Sequence, residues 1–367
     1  MIPIISPSLA FEEVEADLRA VLESGRLTLG PYLKRFEDAV AAAVGVEHAV
    51  AVTSATTAMR LVLASLDVGA GDEVLVSDFT FPATGNVVVD AGARPVLVDC
   101  GPDGFVLDID HAASLVTDRT KALLVVDPFG QPAISEPLLA LAEAHGLAVI
   151  EDAACALGSS ADGVRCGGHP GVPGCFSFHP RKVVTTGEGG AVTTDDAGLA
   201  DRLRRLRSHG GRPGPAVGLE FMDHGFNFRM SEVQAVLGLP QLARLDDIRR
   251  DRQRTAARYE AELSGWDEIT LIRPAACEDW SYQSFVVLLD RRDSVVADLR
   301  SAGVEATLGT YAMHAQPAFA HLGYAAGDLP QSHDRQQRSL TLPLSPGMPE
   351  ATVDDVLAAL AKAIGRS

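Results

Sequence analysis

The chain has 367 residues, 47% of them hydrophobic, and its 31 lysines and arginines against 49 aspartates and glutamates leave a formal charge of −18. This describes a globular protein long enough for two domains, with a surface that repels nucleic-acid backbones. The 5 cysteines, none in a Cys-x-x-Cys pair, argue against a disulfide framework or structural zinc, and the start lacks the basic region of a signal peptide; with no apolar run near the about 18 residues of a membrane span, the expected location is a reducing cytoplasm, with no membrane and no nucleic-acid partner.

Phe11, Val14, Leu18, Val21 and Leu22 recur at helical spacing and predict a helix over 11–24, ended by Gly25. Gly30-Pro31 breaks the chain before a second helix over 32–44. Short apolar strands then alternate with helices. Strands are expected over 48–52, 74–76, 95–99, 122–126, 147–151, 175–178 and 191–194, and helices over 56–66, 84–90, 134–145 and 198–208. Such strands imply an α/β fold with a mostly parallel sheet covered on both faces, which binds ligands beyond the carboxyl ends of its strands. A long helical stretch over 231–263 is expected to be interrupted at Pro240. A strand over 282–289 and helices over 294–302 and 351–364 follow. The expected division is a large domain over 1–250, with its N-terminal helical segment, and a smaller α+β domain over 251–367.

Four segments of this frame carry candidate chemistry. In Val52-Thr-Ser54-Ala-Thr56-Thr-Ala-Met59 a strand gives way to hydroxyl residues and a helix start, where free N–H groups favour a phosphate; an ordinary N-cap reads the same way. Phe79 and Phe81 lie two apart, and either suits the face of a planar ring or the core. The strand over 147–151 runs into Asp152, a carboxylate that needs a cation or serves as an N-cap. In Cys175-Phe-Ser177-Phe-His179-Pro-Arg181-Lys182 a lysine follows a short aromatic strand and precedes the glycines 187, 189 and 190. Its ordinary fate is a solvated loop. In an enclosed site it is a Schiff-base nucleophile, the lysine chemistry of pyridoxal 5′-phosphate (PLP).

In this order the segments resemble the fold-type I PLP enzymes, and among them the DegT/DnrJ/EryC1/StrS sugar aminotransferases. The resemblance extends through Gly69-Ala-Gly-Asp-Glu-Val-Leu-Val76, Phe129-Gly-Gln-Pro132, Glu151-Asp-Ala-Ala154, Thr186-Gly-Glu-Gly-Gly190, Gly225-Phe-Asn-Phe-Arg-Met230 and His314-Ala-Gln-Pro317, nearly the whole chain. It implies a large domain with a seven-stranded sheet. Lys182 would hold PLP as a Schiff base and then shuttle protons, and Asp152 would pair with the pyridine nitrogen. Phe81 would stack on the ring, while Ala55, Thr56 and Ser177 would hold the phosphate. Asn227 would reach the phosphate of a neighbouring subunit, making a homodimer with shared sites. His179, Tyr311 and His314 would lie near substrate, and further contacts would come from 209–222 and 308–314. The chain departs from the family pattern at Cys155, often Gln and near the cofactor's ring oxygen, at Ser54-Ala-Thr-Thr57, often Ser-Gly-Thr-Ala, and at Asp127-Pro-Phe-Gly130, often His-Leu-[Tyr/Phe]-Gly.

The implied activity is amino transfer, through pyridoxamine phosphate, from a donor such as glutamate to a keto-sugar, foremost a nucleotide-linked 3- or 4-keto-6-deoxysugar. A keto-inositol of aminocyclitol synthesis is the alternative acceptor. A sugar dehydratase, in which histidine replaces the lysine, is disfavoured by Lys182. A non-catalytic sensor or regulator on the same fold is disfavoured by Lys182 and Asp152 together.

Overall fold

The apolar runs of the first half pair into one sheet in the computed structural model, which describes residues 1–215 and 217–366. Its strands are β1 (His48–Val52), β2 (Glu73–Ser77), β3 (Arg94–Val98), β4 (Thr120–Val126), β5 (Ala148–Asp152), β6 (Gly174–Ser177) and β7 (Gly190–Thr194), in the order β1-β7-β6-β5-β4-β2-β3. β7 alone runs antiparallel to its neighbours. Both faces are covered, so alternate residues enter different cores. Val50, Val76, Leu124, Ile150 and Val192 face one layer of helices, and Ala51, Leu75, Leu123, Val149 and Ala191 the other.

The helices begin and end where the sequence punctuates them. α1 (Phe11–Ser24) stops at Gly25, φ 65°. α2 (Pro31–Val44) opens on proline, whose missing N–H costs nothing in a first turn, and stops at Gly45, φ 90°. α3 (Ala55–Ser65), α4 (Ala83–Asp90), α5 (Ile109–Ser114), α6 (Glu136–His145) and α7 (Ala197–Leu206) fill the crossovers. α8 (Glu232–Ala243) and α9 (Leu245–Leu263) correct one expectation: Pro240 lies inside α8, and the break comes four residues later at Arg244, φ −113°. Proline removes one N–H donor but leaves its own carbonyl, which here accepts from Arg244 Nε.

The rest of the chain builds a second, antiparallel sheet from β8 (Thr270–Leu271), β9 (Phe285–Leu288), β10 (Thr307–Leu308) and β11 (Ser339–Leu342), in the order β8-β9-β11-β10. α10 (Arg292–Ser301) and α12 (Glu350–Ile364) pack there around a core that includes Ala256, Tyr259, Val287, Leu299, Leu342 and Leu360. The chain crosses between the lobes more than once. Ile2 N–H donates to Gly303 O at 2.7 Å and Leu344 N–H to Ile4 O at 3.0 Å, so the first residues dock on the second sheet. Conversely, Tyr311–Ala312 pairs antiparallel with Phe79–Thr80, and Met313, Phe319 and Leu329 join the core of the first sheet. α11 (Pro330–Arg338) follows that excursion. Among the described residues no helix is long and apolar enough to cross a membrane.

Candidate active site

The register of the sheet brings three chain segments to one edge. Val52 of β1 lies opposite Gly190 of β7, and Gly190 opposite Ser177 of β6. The carboxyl ends of β1, β5 and β6 therefore open together, beside the start of β7, into a cavity of about 590 Å³. Ala55, Thr56, Phe81, Asp152, Cys155, Ser177, His179, Lys182 and Tyr311 all line it.

The hydroxyl run after β1 is both a cap and a wall. Ser54 Oγ accepts from Thr57 N–H at 3.1 Å while Thr57 Oγ1 accepts from Ser54 N–H at 3.0 Å, a reciprocal capping box. With the Thr57 N–H capped in this way, those of Ala55 and Thr56 have no acceptor within the helix and are left for an anion. Gly190 makes this possible. A Cβ there would lie 2.3 Å from Ser54 C and 2.7 Å from Ala55 N, so any side chain would push the turn away.

Asp152 closes the bottom of the cavity. Thr84 donates to Oδ2 at 2.8 Å and Ala154 N–H to Oδ1 at 3.3 Å. Burial pushes its carboxyl above the usual range, opposed by Thr84 and then by Lys182. Its anionic form thus calls for a cation, which a protonated ring nitrogen supplies.

Lys182 sits on the loop between β6 and β7. Phe178 N–H donates to Gly189 O at 2.8 Å and Thr186 N–H to Phe178 O at 2.9 Å, closing the loop's base. From α8 the Gln241 amide accepts from Thr185 N–H at 3.0 Å and donates to Thr185 O at 2.7 Å. The amine is thereby held half-buried, 3.0 Å from Cys155 Sγ. His179 is half-buried too. Its Nδ1 accepts from Arg181 N–H at 3.2 Å, and burial lowers its pKa.

Two residues apart on a continuous strand would share a face, but the strand ends at Thr80, and the turn that follows separates the two phenylalanines. Phe79 is fully buried against Phe105 and Phe129. Phe81 is 65% exposed, and its ring centroid lies 6.4 Å from that of Tyr311. A free aromatic face on a cavity wall is the feature a planar cofactor needs. The departure at 127–130 also shapes this wall: Pro128 and Phe129 line it, Phe129 at φ 59°.

Two expected site residues lie elsewhere. His314 is not on the cavity; its ring is buried, with Nδ1 2.6 Å from Asp78 Oδ2. Asn227 is exposed and outside the cavity of its own chain. Of the loop expected over 209–222, residue 216 lies outside the described residues. Sequence reasoning missed Thr84, Glu188 and Gln283. Glu188 stood in plain view within Gly187-Glu188-Gly189, whereas nothing in the sequence ties Thr84 to Asp152, 68 positions on.

Directly behind Asp152 lies a buried acid pair. Asp127 Oδ1 accepts from Ala133 N–H and Glu151 Oε2 from Gly167 N–H, each at 2.8 Å. Their other oxygens have no partner. With Cys166 Sγ, ligand atoms of the two carboxyls lie within 4.8 Å of one another. Burial and then mutual repulsion hold Asp127 well above the usual carboxylate range; burial raises Glu151 as well.

Anion-ready helix start, free ring face, buried carboxylate and enclosed amine match phosphate, ring, ring nitrogen and aldehyde of PLP. Fold and site together define a PLP-dependent aminotransferase. The model of the DegT/DnrJ/EryC1/StrS aminotransferase family matches residues 9–361, and the chain belongs to that family. It is 37% identical over 365 residues to the GDP-perosamine synthase of Caulobacter vibrioides, covering 98% of this chain and 97% of the relative. It is 35% identical to the spore coat polysaccharide biosynthesis protein SpsC of Bacillus subtilis, over 98% of this chain and 96% of that one. The crystal structure of S. venezuelae DesV in complex with a ketimine intermediate superposes with a TM-score of 0.93 at 36% identity, covering 100% and 99% of the two chains. The protein is accordingly a sugar aminotransferase that uses PLP.

Proposed function

We propose that the protein transfers the amino group of glutamate to a nucleotide-linked 3- or 4-keto-6-deoxysugar in amino-sugar biosynthesis. The observation that carries this reading is the enclosed Lys182 amine beside the buried Asp152 carboxylate in a cavity of about 590 Å³. Near-full-length similarity to a GDP-perosamine synthase supports a nucleotide-linked acceptor.

When bound, PLP supplies an aldehyde for the amino group and a ring that accepts electrons from the donor carbon. Residues of the chain do the rest. Asp152 keeps a proton on the ring nitrogen. Phe81 would cover one ring face, and Ala55, Thr56 and Ser177 would hold the phosphate. Lys182 Nζ would hold the cofactor through its aldehyde and would serve as base and acid for the proton that moves during amino transfer. Cys155, 3.0 Å from that amine, would stand near the ring oxygen, where the family often has Gln. His179 and Tyr311, which line the cavity, would face the acceptor.

We also propose a homodimer whose sites are completed by Asn227 of the partner subunit, and a division of the chain into lobes 1–250 and 251–367, with residues 2–6 docked on the second lobe. Asn227 is exposed, and the pairing of Gly211–Pro213 with Leu219–Phe221 presents Leu219 and Phe221, with Met222 next to them, each more than half exposed. Such a face suits a second copy.

The test is product formation. Protein loaded with PLP is mixed with L-glutamate and, separately, with 3- or 4-keto-6-deoxyhexoses on guanosine, thymidine or uridine diphosphate, or a keto-inositol. Mass spectrometry is expected to show an amino sugar from one of the nucleotide-linked ketones. Borohydride is expected to fix the cofactor's mass on the Lys182 peptide. Turnover of the keto-inositol alone would refute the acceptor class, and cofactor fixed elsewhere would refute the site.

A further inference from the structure

The contacts around Asp78 point to a device that none of the cavity residues supplies. Asp78 follows β2 and immediately precedes the segment that ends in Phe81. Its side chain and that of His314 are both completely buried, 236 positions apart in sequence. His314 Nδ1 lies 2.6 Å from Asp78 Oδ2, His314 N–H donates to Oδ1 at 2.7 Å, and Met313 N–H donates to Asp78 O at 2.9 Å. One aspartate thus grips the 313–314 turn at three points.

From this grip two chains of contact run to the cavity. Thr80 and Phe79 pair with Tyr311 and Ala312, which sets the Tyr311 ring against the Phe81 ring at 6.4 Å. Thr80 Oγ1 also lies 3.2 Å from Thr84 Oγ1, whose hydroxyl bonds Asp152 Oδ2. The docking leaves no slack: a Cβ at Gly85 would come within 2.7 Å of Met313 Sδ and 2.8 Å of the Phe319 ring.

We propose that Asp78 and His314 form a clasp that positions the Phe81 plate and the Thr84–Asp152 pair, making His314 a positioning residue and not a substrate contact. The clasp joins the returning 311–322 segment to the edge of the first sheet, so it also sets where the Tyr311 wall stands over the cavity. Two fully buried polar partners hold one geometry well, because either alone would be left desolvated. This rests on the reading of the cavity as the cofactor site.

The test uses pyridoxamine 5′-phosphate as probe, since it occupies the cofactor site without bonding to Lys182. Its dissociation constant is measured by calorimetry on the full-length protein freed of cofactor. His314→Leu keeps the bulk and loses the donor; affinity is expected to fall on the order of tenfold. His314→Asn places an amide N–H near the Nδ1 position and is expected to return to within about threefold of the parent. In a cycle with Phe81→Ala, the loss from His314→Leu is expected to shrink once the plate is gone. Should His314→Leu fail to fold by circular dichroism, Asp78→Asn/His314→Leu, which leaves no unpaired buried charge, replaces it in the same cycle. Full affinity in the Leu variant, no rescue by Asn, or strict additivity with Phe81→Ala would each overturn the clasp. If Phe81→Ala itself left affinity unchanged, the reading of the cavity would fall, and the clasp with it.

Discussion

Asp152 and Lys182 owe their roles to what surrounds them more than to their own chemistry. Asp152 is buried, and burial raises its pKa against the opposing pull of the Thr84 hydroxyl, the Lys182 amine and the Ala154 N–H. Asp152→Asn removes the charge, and the donor half-reaction, followed by the absorbance change on adding L-glutamate, is expected to slow by several powers of ten. Thr84→Val removes one donor and leaves the charge; about tenfold is expected, the worth of roughly 1.4 kcal/mol. Asp127 is a second buried acid. Burial and the Glu151 carboxyl raise its pKa, so the folded protein holds a proton that the unfolded chain has released above the ordinary aspartate value. Its contribution to stability therefore falls as pH rises from that value toward the raised one. Asp127→Asn, which cannot ionise, is expected to melt higher than the parent in alkaline buffer, with the gap closing in mildly acidic buffer. A gap independent of pH would remove Asp127 from the titration. Lys182 and Asp152 were legible in sequence because each stands beside a strand pattern that fixes its place. Thr84 and the Asp78–His314 pair were not, since their partners lie 68 and 236 positions away and hydrogen bonds leave no periodicity.

Elements were legible to the extent that their patterns are local. The seven strands of the first sheet were placed to within two residues because burial on both faces writes unbroken apolar runs between helices. The Pro240 break was misplaced, since α8 packs closely enough on α2 to keep a proline inside it: a Cβ at Gly238 would lie 2.3 Å from Phe36. The returning segment 311–338 was missed because its short strand and turns have no repeat of their own. One element contact carries a stability prediction. β1 is the edge of the sheet, and Ala51 turns its N–H to Glu37 Oε1 at 2.9 Å and its carbonyl to Arg207 at 2.6 Å. Glu37 and Arg207 are themselves paired at 2.5 Å, with side chains 9% and 6% exposed. α2 and the end of α7 thereby cover the edge strand that leads into the Ser54 cap on the cavity. Arg207→Met leaves a buried carboxylate unpaired and is expected to cost about 3–5 kcal/mol in urea unfolding. Glu37→Leu/Arg207→Met is expected to recover part of it, the remainder being the orphaned Ala51 groups. Equal loss in the single and double variants would show that the pair does not act as an ion pair.

At the scale of the whole molecule, the proposed homodimer would bring Asn227 of one chain to the cavity of the other. In its own chain Asn227 is exposed, with backbone pairing to Ser208. A homodimer with exchanged residues predicts complementation between two inactive proteins. Lys182→Ala lacks the amine but keeps Asn227. Asn227→Asp keeps the amine but presents a carboxylate to the phosphate of the neighbouring site, where like charges repel. Each homodimer should then be inactive for its own reason. In a mixed dimer one site joins both faults, and the other joins an intact Lys182 to an intact Asn227. Random reassortment makes half the dimers mixed, each with one good site of two, so about a quarter of parental activity is expected. The measurement is amino-sugar formation after the two proteins are co-unfolded and refolded at equal concentration, with each refolded alone as control. No recovery in the mixture, while a parental sample refolds to full activity, would mean that each site is built within a single chain and that Asn227 serves its own subunit.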